Sequence, residues 1–320
     1  MEMLHQSVAM PSVVEFSSAL ESLGWHADFR QLKRGAENVD ISVVQGNTTS
    51  LMRVGFQNTV HQIAGPPLGY TTFGLPVGPQ RPGRLGRRSL ESETLTCFSN
   101  INGLDVVSLP GFAAYTVALK SSRLAEVAML FDCHGSHDLE KMQGVQVAPH
   151  HCHLARLREM LGTSLTVIGD QATSAKAREF LWREIESDLP VLLLEAWRGS
   201  DKLRYMSRSS RTRALKKALE YIHFSAGRAI TIEELCRAAC CSPSTLTRAF
   251  REHFGVPPKQ YLMAVQFCGV RRQLIDGADG RTIADIASDF GFWHMSKFAG
   301  DYRRLFGELP SQTRVFNYPE

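Results

Sequence analysis

The side chains whose type and spacing suit them for chemistry fall in two stretches of this 320-residue chain. In PSTLTRAFREHF, from Pro243, a helical step of about 100° per residue puts Leu246, Ala249, Phe250, His253 and Phe254 on one face. Ser244, Thr247, Arg248 and Arg251 fall on the other. Two hydroxyls and two guanidinium forks on one helical stripe can read guanine edges and grip phosphates. The second stretch holds five of the eleven histidines, His134, His137, His150, His151 and His153, beside Cys133 and Cys152. Imidazole and thiolate at that density are ligands for zinc or a similar ion, but the spacing follows no finger pattern. Solvated loop histidines are therefore the favoured reading there, and neither a metal site nor a cofactor is expected.

The first stripe is positioned by a unit that occurs twice. TIEELCRAACCSPSTLTRAFREHFGVPP begins at Thr231 and TIADIASDFGFWHMSKFAGDYRRLFGELP at Thr282. Ile232, Leu235, Leu246, Phe250, Phe254, Gly255 and Pro258 recur as Ile283, Ile286, Phe298, Tyr302, Phe306, Gly307 and Pro310. The offset grows by one residue at the turn, so the second copy carries an insertion there. Each copy reads as a short helix, a tight turn and a longer amphipathic helix, the helix-turn-helix pattern.

Local signals agree with that reading. Thr231 with Glu234 forms a capping box, Ser242 caps the next helix with Pro243 at its first position, and Gly255 stops it. In the second copy Met295, Phe298, Asp301, Tyr302 and Leu305 face inward, whereas Ser296, Lys297, Ala299, Gly300, Arg303 and Arg304 face outward. Ser296 matches Ser244 and Arg303 matches Arg251, but Gly300 stands opposite Arg248 and offers no side chain. Between the units PPKQYLMAVQFCGVRRQLIDG reads as one helix, preceded by another from Ser209 or Ser210 through Ile222.

Charge follows the same division. From Arg208 onward there are 17 Lys and Arg against 11 Asp and Glu, whereas residues 1–207 carry 19 against 21. The basic half suits a polyanion partner. No apolar run approaches membrane-span length, the N-terminus lacks signal-peptide character, and a cytoplasmic protein with no membrane partner is expected. Seven cysteines without a CxxC pair read as free thiols, with Cys236, Cys240 and Cys241 buried rather than reactive. No GxSxG, P-loop, GxGxxG or HExxH pattern occurs in context, so no enzyme and no catalytic residue is expected.

Upstream, Ser12 opens a helix, and short strand-like runs follow at 41–44, 51–54, 60–63, 71–77, 95–98, 106–109 and 115–119. A Gly/Pro/Arg-rich loop spans 77–88. From 122 to 199 the pattern turns helical, with stripes at Leu154, Leu157, Met160 and Leu161 and at Phe180, Leu181 and Ile185. A further helix starts at Asp188–Leu189–Pro190. The Leu154–Leu161 stripe is equally suited to a second subunit or to the strands. The expected class is α+β: a β-rich barrel or sandwich with helices over 1–206, and an all-α domain over 207–320. The latter holds two helix-turn-helix units (231–255 and 282–307) joined by a linker helix. A metal- or redox-responsive regulator using 133–153 or the cysteines is the alternative.

From about Leu215 to Arg314 the chain resembles the DNA-binding domain of the AraC/XylS regulators. The carrying residues are Ser242, Leu246, Phe250, Gly255, Pro258 and Tyr261, then Ile283, Ile286, Ala287, Gly291, Phe292, Phe298, Tyr302, Phe306, Gly307 and Pro310. The block GFWHMSKFAGDYRRLFGELPSQT is closest to the subgroup of the ethanolamine-operon regulator. The resemblance implies transcription control, usually activation, through double-stranded DNA. Its base-reading candidates are Ser244, Thr247, Arg248, Ser296 and Lys297, with Arg251 and Arg303 on the same faces. It also implies RNA polymerase as a partner, a homodimer, and a small-molecule effector in the first domain. Side chains such as Phe56, Tyr70, Phe73, Phe98 and Tyr115 could line its pocket, but ordinary core packing is the favoured reading of each and none is assigned as a ligand site. Cys236 for Ala, Gln266 for a linker-helix Arg, and Gly300 depart from the family pattern.

Overall fold

The computed structural model describes residues 4–78, 83–85, 88–99, 103–131, 145–198, 200–203, 210–225, 228–277 and 280–315. Its strands are β1 (Leu4–Met10), β2 (His26–Gln31), β3 (Val39–Gln45), β4 (Thr49–Phe56), β5 (Val60–Gly65), β6 (Tyr70–Pro76) and β7 (Gly83–Leu85). They continue with β8 (Arg88–Leu90), β9 (Leu95–Ser99), β10 (Leu104–Ser108), β11 (Phe112–Lys120), β12 (Val145–Ala148) and β13 (Asp201–Leu203). The helices of the strand-rich part are α1 (Val13–Ser22), α2 (Ser121–Phe131), α3 (His151–Gly169) and α4 (Ala175–Arg198). The rest is helical: α5 (Ser210–Phe224), α6 (Ile232–Ala239), α7 (Pro243–Phe254), α8 (Pro258–Ile275), α9 (Ile283–Asp289), α10 (Met295–Phe306) and α11 (Pro310–Val315).

All seven expected runs are strands. They pair antiparallel in an eight-stranded sheet, β1-β3-β4-β11-β6-β9-β12-β13, and a five-stranded one, β2-β5-β10-β7-β8. Alternation along the strands splits the core in two. Met52, Val54 and Phe56 of β4 face α1 and the smaller sheet, whereas Leu51, with Val117 and Leu119 of β11, faces α3 and α4. Leu154, Leu157 and Leu161 of α3 are buried in that second cluster, so the stripe packs on the sheet.

Three local expectations change. Pro190 lies inside the 24-residue helix α4 and does not begin a new one. It has no N–H for the Glu186 carbonyl, a cost of about 3 kcal/mol, but Leu189, Pro190, Leu192 and Leu193 are all buried and offset it. Phe180 is 67% exposed; the buried stripe is Trp182, Ile185 and Leu189, at the three- and four-residue steps a helix face requires. The segment 77–88 is not wholly a loop, because β7 pairs with β8, Gly83 opposite Leu90. Ser209, one of the two residues expected to open the helix before the repeat, lies outside the described residues, and Ser210 is the first residue of α5.

The helical part does not stand apart from the sheets. Phe267, Phe298, Tyr302, Leu305 and Phe306 share one buried cluster with Val13, Phe16 and Phe29. Leu246, Phe250, Phe254 and Tyr261 share another with Leu32 and Val107.

Candidate nucleic-acid interface

Each repeat is built by short-range bonds. Thr231 Oγ1 accepts from the Glu234 amide at 3.2 Å while Glu234 Oε2 accepts from the Thr231 amide at 2.8 Å. Thr282 and Asp285 repeat this reciprocal cap at 3.1 and 2.9 Å. The turn that follows needs a left-handed residue. Gly291 supplies it in the second copy; Cys240, the one non-glycine with positive φ among the described residues, supplies it in the first. Cys241 N donates to Cys236 O at 3.1 Å, and Phe292 N to Ala287 O at 3.0 Å, so the two turns have the same hydrogen bond.

Ser242 caps α7 as expected, its hydroxyl accepting from Thr245 N. After the inserted residue α10 is preceded by His294, which makes no side-chain cap, and Trp293 beside it is 74% exposed. Nothing in the residue pattern except the insertion marked Trp293. Gly255 and Gly307, both left-handed, end the two helices.

The apolar faces are buried through Leu246, Ala249, Phe250 and Phe254 on α7, and through Phe298, Tyr302, Leu305 and Phe306 on α10. The outward faces carry the expected residues. Ser244, Arg248 and Arg251 are exposed and Thr247 is half-buried; Ser296, Lys297 and Arg303 are exposed. A Cβ at Gly300 would meet nothing nearer than Arg304 Nη1 at 3.9 Å, so packing does not demand glycine there. Arg304 itself pairs with Asp301. The 18-residue α8 separates the two faces by about 27 Å of helix.

Behind these faces a polar network joins the sheets to the helices. Arg30 Nη1 donates to Tyr261 Oη, Tyr261 Oη bonds His61 Nδ1 at 3.0 Å, and His61 Nε2 bonds Asp105 Oδ1 at 2.9 Å. His253 Nε2 of α7 lies 3.5 Å from the same oxygen. Arg30 also pairs with Asp28; burial raises the Asp28 carboxyl, but the guanidinium outweighs it and the net direction is down. Gln260 Nε2 donates to Leu32 O at 2.9 Å, Gln31 Nε2 to Leu305 O at 2.8 Å, and Gly35 N to Arg304 O at 3.0 Å.

His61 supplies the first prediction. Burial lowers its pKa from 6.5, against an opposing pull from Asp105, so the native imidazole is neutral with Nε2–H donating to the carboxylate. The unfolded chain binds a proton near pH 6.5 that the native state refuses, and stability falls as pH drops below that value. The limiting slope is about 1.4 kcal/mol per pH unit. Urea midpoints taken from neutral to mildly acid pH should show this limb, and His61→Gln should flatten it. His5, whose pKa burial also lowers, leaves only a shallow residue. A wild-type slope in His61→Gln would refute the assignment.

The other candidate chemistry is only partly within the described residues. His150, His151, Cys152 and His153 stand at the start of α3, and Cys133, His134 and His137 lie outside the described residues. Among the described residues no three His, Cys, Asp or Glu side chains form a metal-sized group. Cys240 is exposed, contrary to expectation, because the left-handed turn points it outward, and Cys236 and Cys241 are half-buried. Burial pushes the Cys268 thiol to about 11 and Cys97 higher still. Of the aromatic residues weighed as pocket lining, Phe56, Phe73, Phe98 and Tyr115 are packed in the core, the favoured reading. Tyr70 does line an apolar cavity of about 230 Å³ between α1 and the larger sheet, with Gln6, Met10, Leu20, Trp25 and Met52. No helix among the described residues is long and apolar enough to cross a membrane.

Comparison with known proteins bears on the repeat. Residues 235–315 match the family described as "Helix-turn-helix domain". The XylDLEGF operon transcriptional activator of Pseudomonas putida is 30% identical over 192 residues, 60% of this chain and 59% of that protein. Residues 235–315 form a helix-turn-helix domain. A probable thc operon regulatory protein of Rhodococcus erythropolis is 27% identical over 101 residues, 31% of this chain and 30% of its own length. A crystal structure of a probable AraC family transcriptional regulator from Rhodopseudomonas palustris is 34% identical; the match covers 33% of this chain and 98% of that one, with a TM-score of 0.31. The chain spans about three-fifths of the length of the first Pseudomonas relative. Within the helix-turn-helix domain, Cys236 sits half-buried in α6 and Gln266 half-buried in α8, and neither interrupts its helix.

Proposed function

We propose that this chain is a sequence-specific, DNA-binding transcription activator that lays α7 and α10 into successive major grooves. The observation that carries the reading is the pair of outward faces, Ser244/Thr247/Arg248/Arg251 and Ser296/Lys297/Arg303, on helices whose opposite faces are locked into the core. Arg248 is the principal base reader, since a guanidinium fork matches the O6/N7 edge of guanine. The second unit, with Gly300 in place of an arginine, grips backbone more than it reads bases. In this reading the Gly291–Thr313 block is of the ethanolamine-operon-regulator type, a likeness that its residue pattern supports.

The test is selection of duplexes by the full chain from random-sequence DNA, followed by titration of variants. Arg248→Ala should cost about 1–3 kcal/mol on the selected site and relax preference at one position, with a smaller change on random duplexes. The selected site should have one well-defined half, under the first unit, and one weakly defined half. Equal losses on selected and random DNA would reduce Arg248 to a phosphate contact, and a site defined mainly by its second half would remove the asymmetry.

In this reading residues 1–206 are the sensing and dimerisation domain and 207–320 the DNA-binding domain. The cavity beside Tyr70 holds a small-molecule effector, and RNA polymerase is the downstream partner. Full-length protein should run as a dimer by light scattering and bind paired sites more tightly than single ones, because the second module acts at high effective concentration. A monomer with no preference for paired sites would eliminate the dimer.

A further inference from the structure

The segment 78–88 carries Arg81, Arg84, Arg87 and Arg88 and no acidic residue, and neither the repeat nor the core explains that composition. β7 brings Arg84 onto α7. Its Nη1 donates to Arg251 O at 3.2 Å and to Glu252 O at 3.4 Å. Its side chain lines one groove with Pro243, Ser244, Thr247, Arg248, Arg251 and Glu252. We propose that Arg84, although it belongs to the sheet region, is part of the DNA interface and takes a backbone phosphate beside the groove that α7 enters. This rests on the DNA-binding reading above and extends the interface beyond the helix-turn-helix domain.

Position and charge both favour it. Arg84 pairs in register with Val107 on β10, and Val107 is buried in the same cluster as Leu246 and Phe250. Gly83 lets the strands close: a Cβ there would lie 2.3 Å from Val107 O. The guanidinium is thus carried on the core that holds α7. Carbonyls at a helix C-terminus attract a cation, and the two bonds engage one terminal nitrogen of a fork with five N–H donors. Three guanidinium groups, Arg84, Arg248 and Arg251, line the groove against one carboxylate, Glu252, an excess of positive charge that suits a polyanion. A segment built to cover α7 and exclude DNA would carry the opposite sign.

The full chain and a duplex it selects from random-sequence DNA provide the test, with affinity followed through a KCl series. Arg84→Gln keeps an N–H for the helix carbonyls but removes the charge. Loss of one phosphate contact should lower the slope of log K against log[KCl] by about 0.9, and weaken binding about fivefold near 0.15 M salt. The melting temperature should stay unchanged, and Arg84→Lys should restore the slope. A wild-type slope and affinity in Arg84→Gln would overturn the proposal. So would tighter binding, which would mark β7 as a cover, or a lowered melting temperature with the slope intact, which would mark Arg84 as a structural clamp only. Arg248→Ala on the same duplex separates the two levels. If it weakens binding while Arg84→Gln does not, only this inference fails; if neither does, the DNA-binding reading fails with it.

Discussion

Arg271→Ala is expected to destabilise the folded chain by about 3–5 kcal/mol. Arg271 is 2% exposed in the C-terminal part of α8 and ties three elements together. Its Nη2 meets Glu15 of α1 at 2.7 Å, its Nη1 meets Glu308 ahead of α11 at 2.7 Å, and its Nε donates to Ser12 Oγ, the cap of α1, at 2.9 Å. The guanidinium carbon also lies 4.9 Å from the centre of the Phe306 ring. Burial disfavours the charged guanidinium, but the Glu15 bond, Tyr302 and Glu308 outweigh it and hold the proton. Deleting the side chain leaves two carboxylates facing one cavity. Glu15 and Glu308 retain some contact with water, each 24% exposed, which places the loss toward the lower end of the range. Arg271→Lys should recover part of it, because an ammonium cannot span both acids as a fork does. Urea denaturation of the full chain reads both variants. A loss below about 1 kcal/mol for Arg271→Ala would show that α1 and α11 are held by apolar packing alone.

What the residue pattern made legible is what short-range chemistry determines. The Thr231–Glu234 capping box, Pro243, Gly255 and the short strand-like runs each act over a few residues, and the structure places them as expected. The outward residues of α7 and α10 were legible for the same reason, since a 3.6-residue period assigns faces without knowledge of the partner. What was hidden depends on distant pairing. β2, HADFRQ, has too little apolar alternation to read as a buried strand, yet Arg30 and Gln31 are buried there because Tyr261 and the Leu305 carbonyl receive them. Arg84 was hidden likewise: its neighbours on α7 are 167 and 168 residues away in sequence. Pro190 misled because a local rule about helix starts yielded to burial of the whole turn around it.

The second large effect is at the residue where the first repeat meets the sheets. Phe254→Ala is expected to cost about 3–5 kcal/mol, the range for a buried aromatic truncated without collapse. Phe254 is 1% exposed. Its ring centre lies 4.3 Å from Tyr261, 4.7 Å from His61 and 5.4 Å from Phe250, so truncation opens a void lined by α7, α8 and β5 together. Two of those neighbours are polar aromatics already committed to the Arg30–Tyr261–His61–Asp105 network, and they cannot rotate into the space without breaking it. Phe254→Leu keeps most of the volume and should lose less than about 1.5 kcal/mol. The network supplies a second readout. Water entering the Phe254→Ala void would solvate His61 and return its pKa toward 6.5, so the acid limb of stability should be shallower than in the wild type. A full-sized loss of stability with an unchanged acid limb would show that the void stays dry. A loss under about 1 kcal/mol would show that α7 closes on the sheets without this ring, and the buried seam would then contribute less to holding the recognition face than its packing indicates.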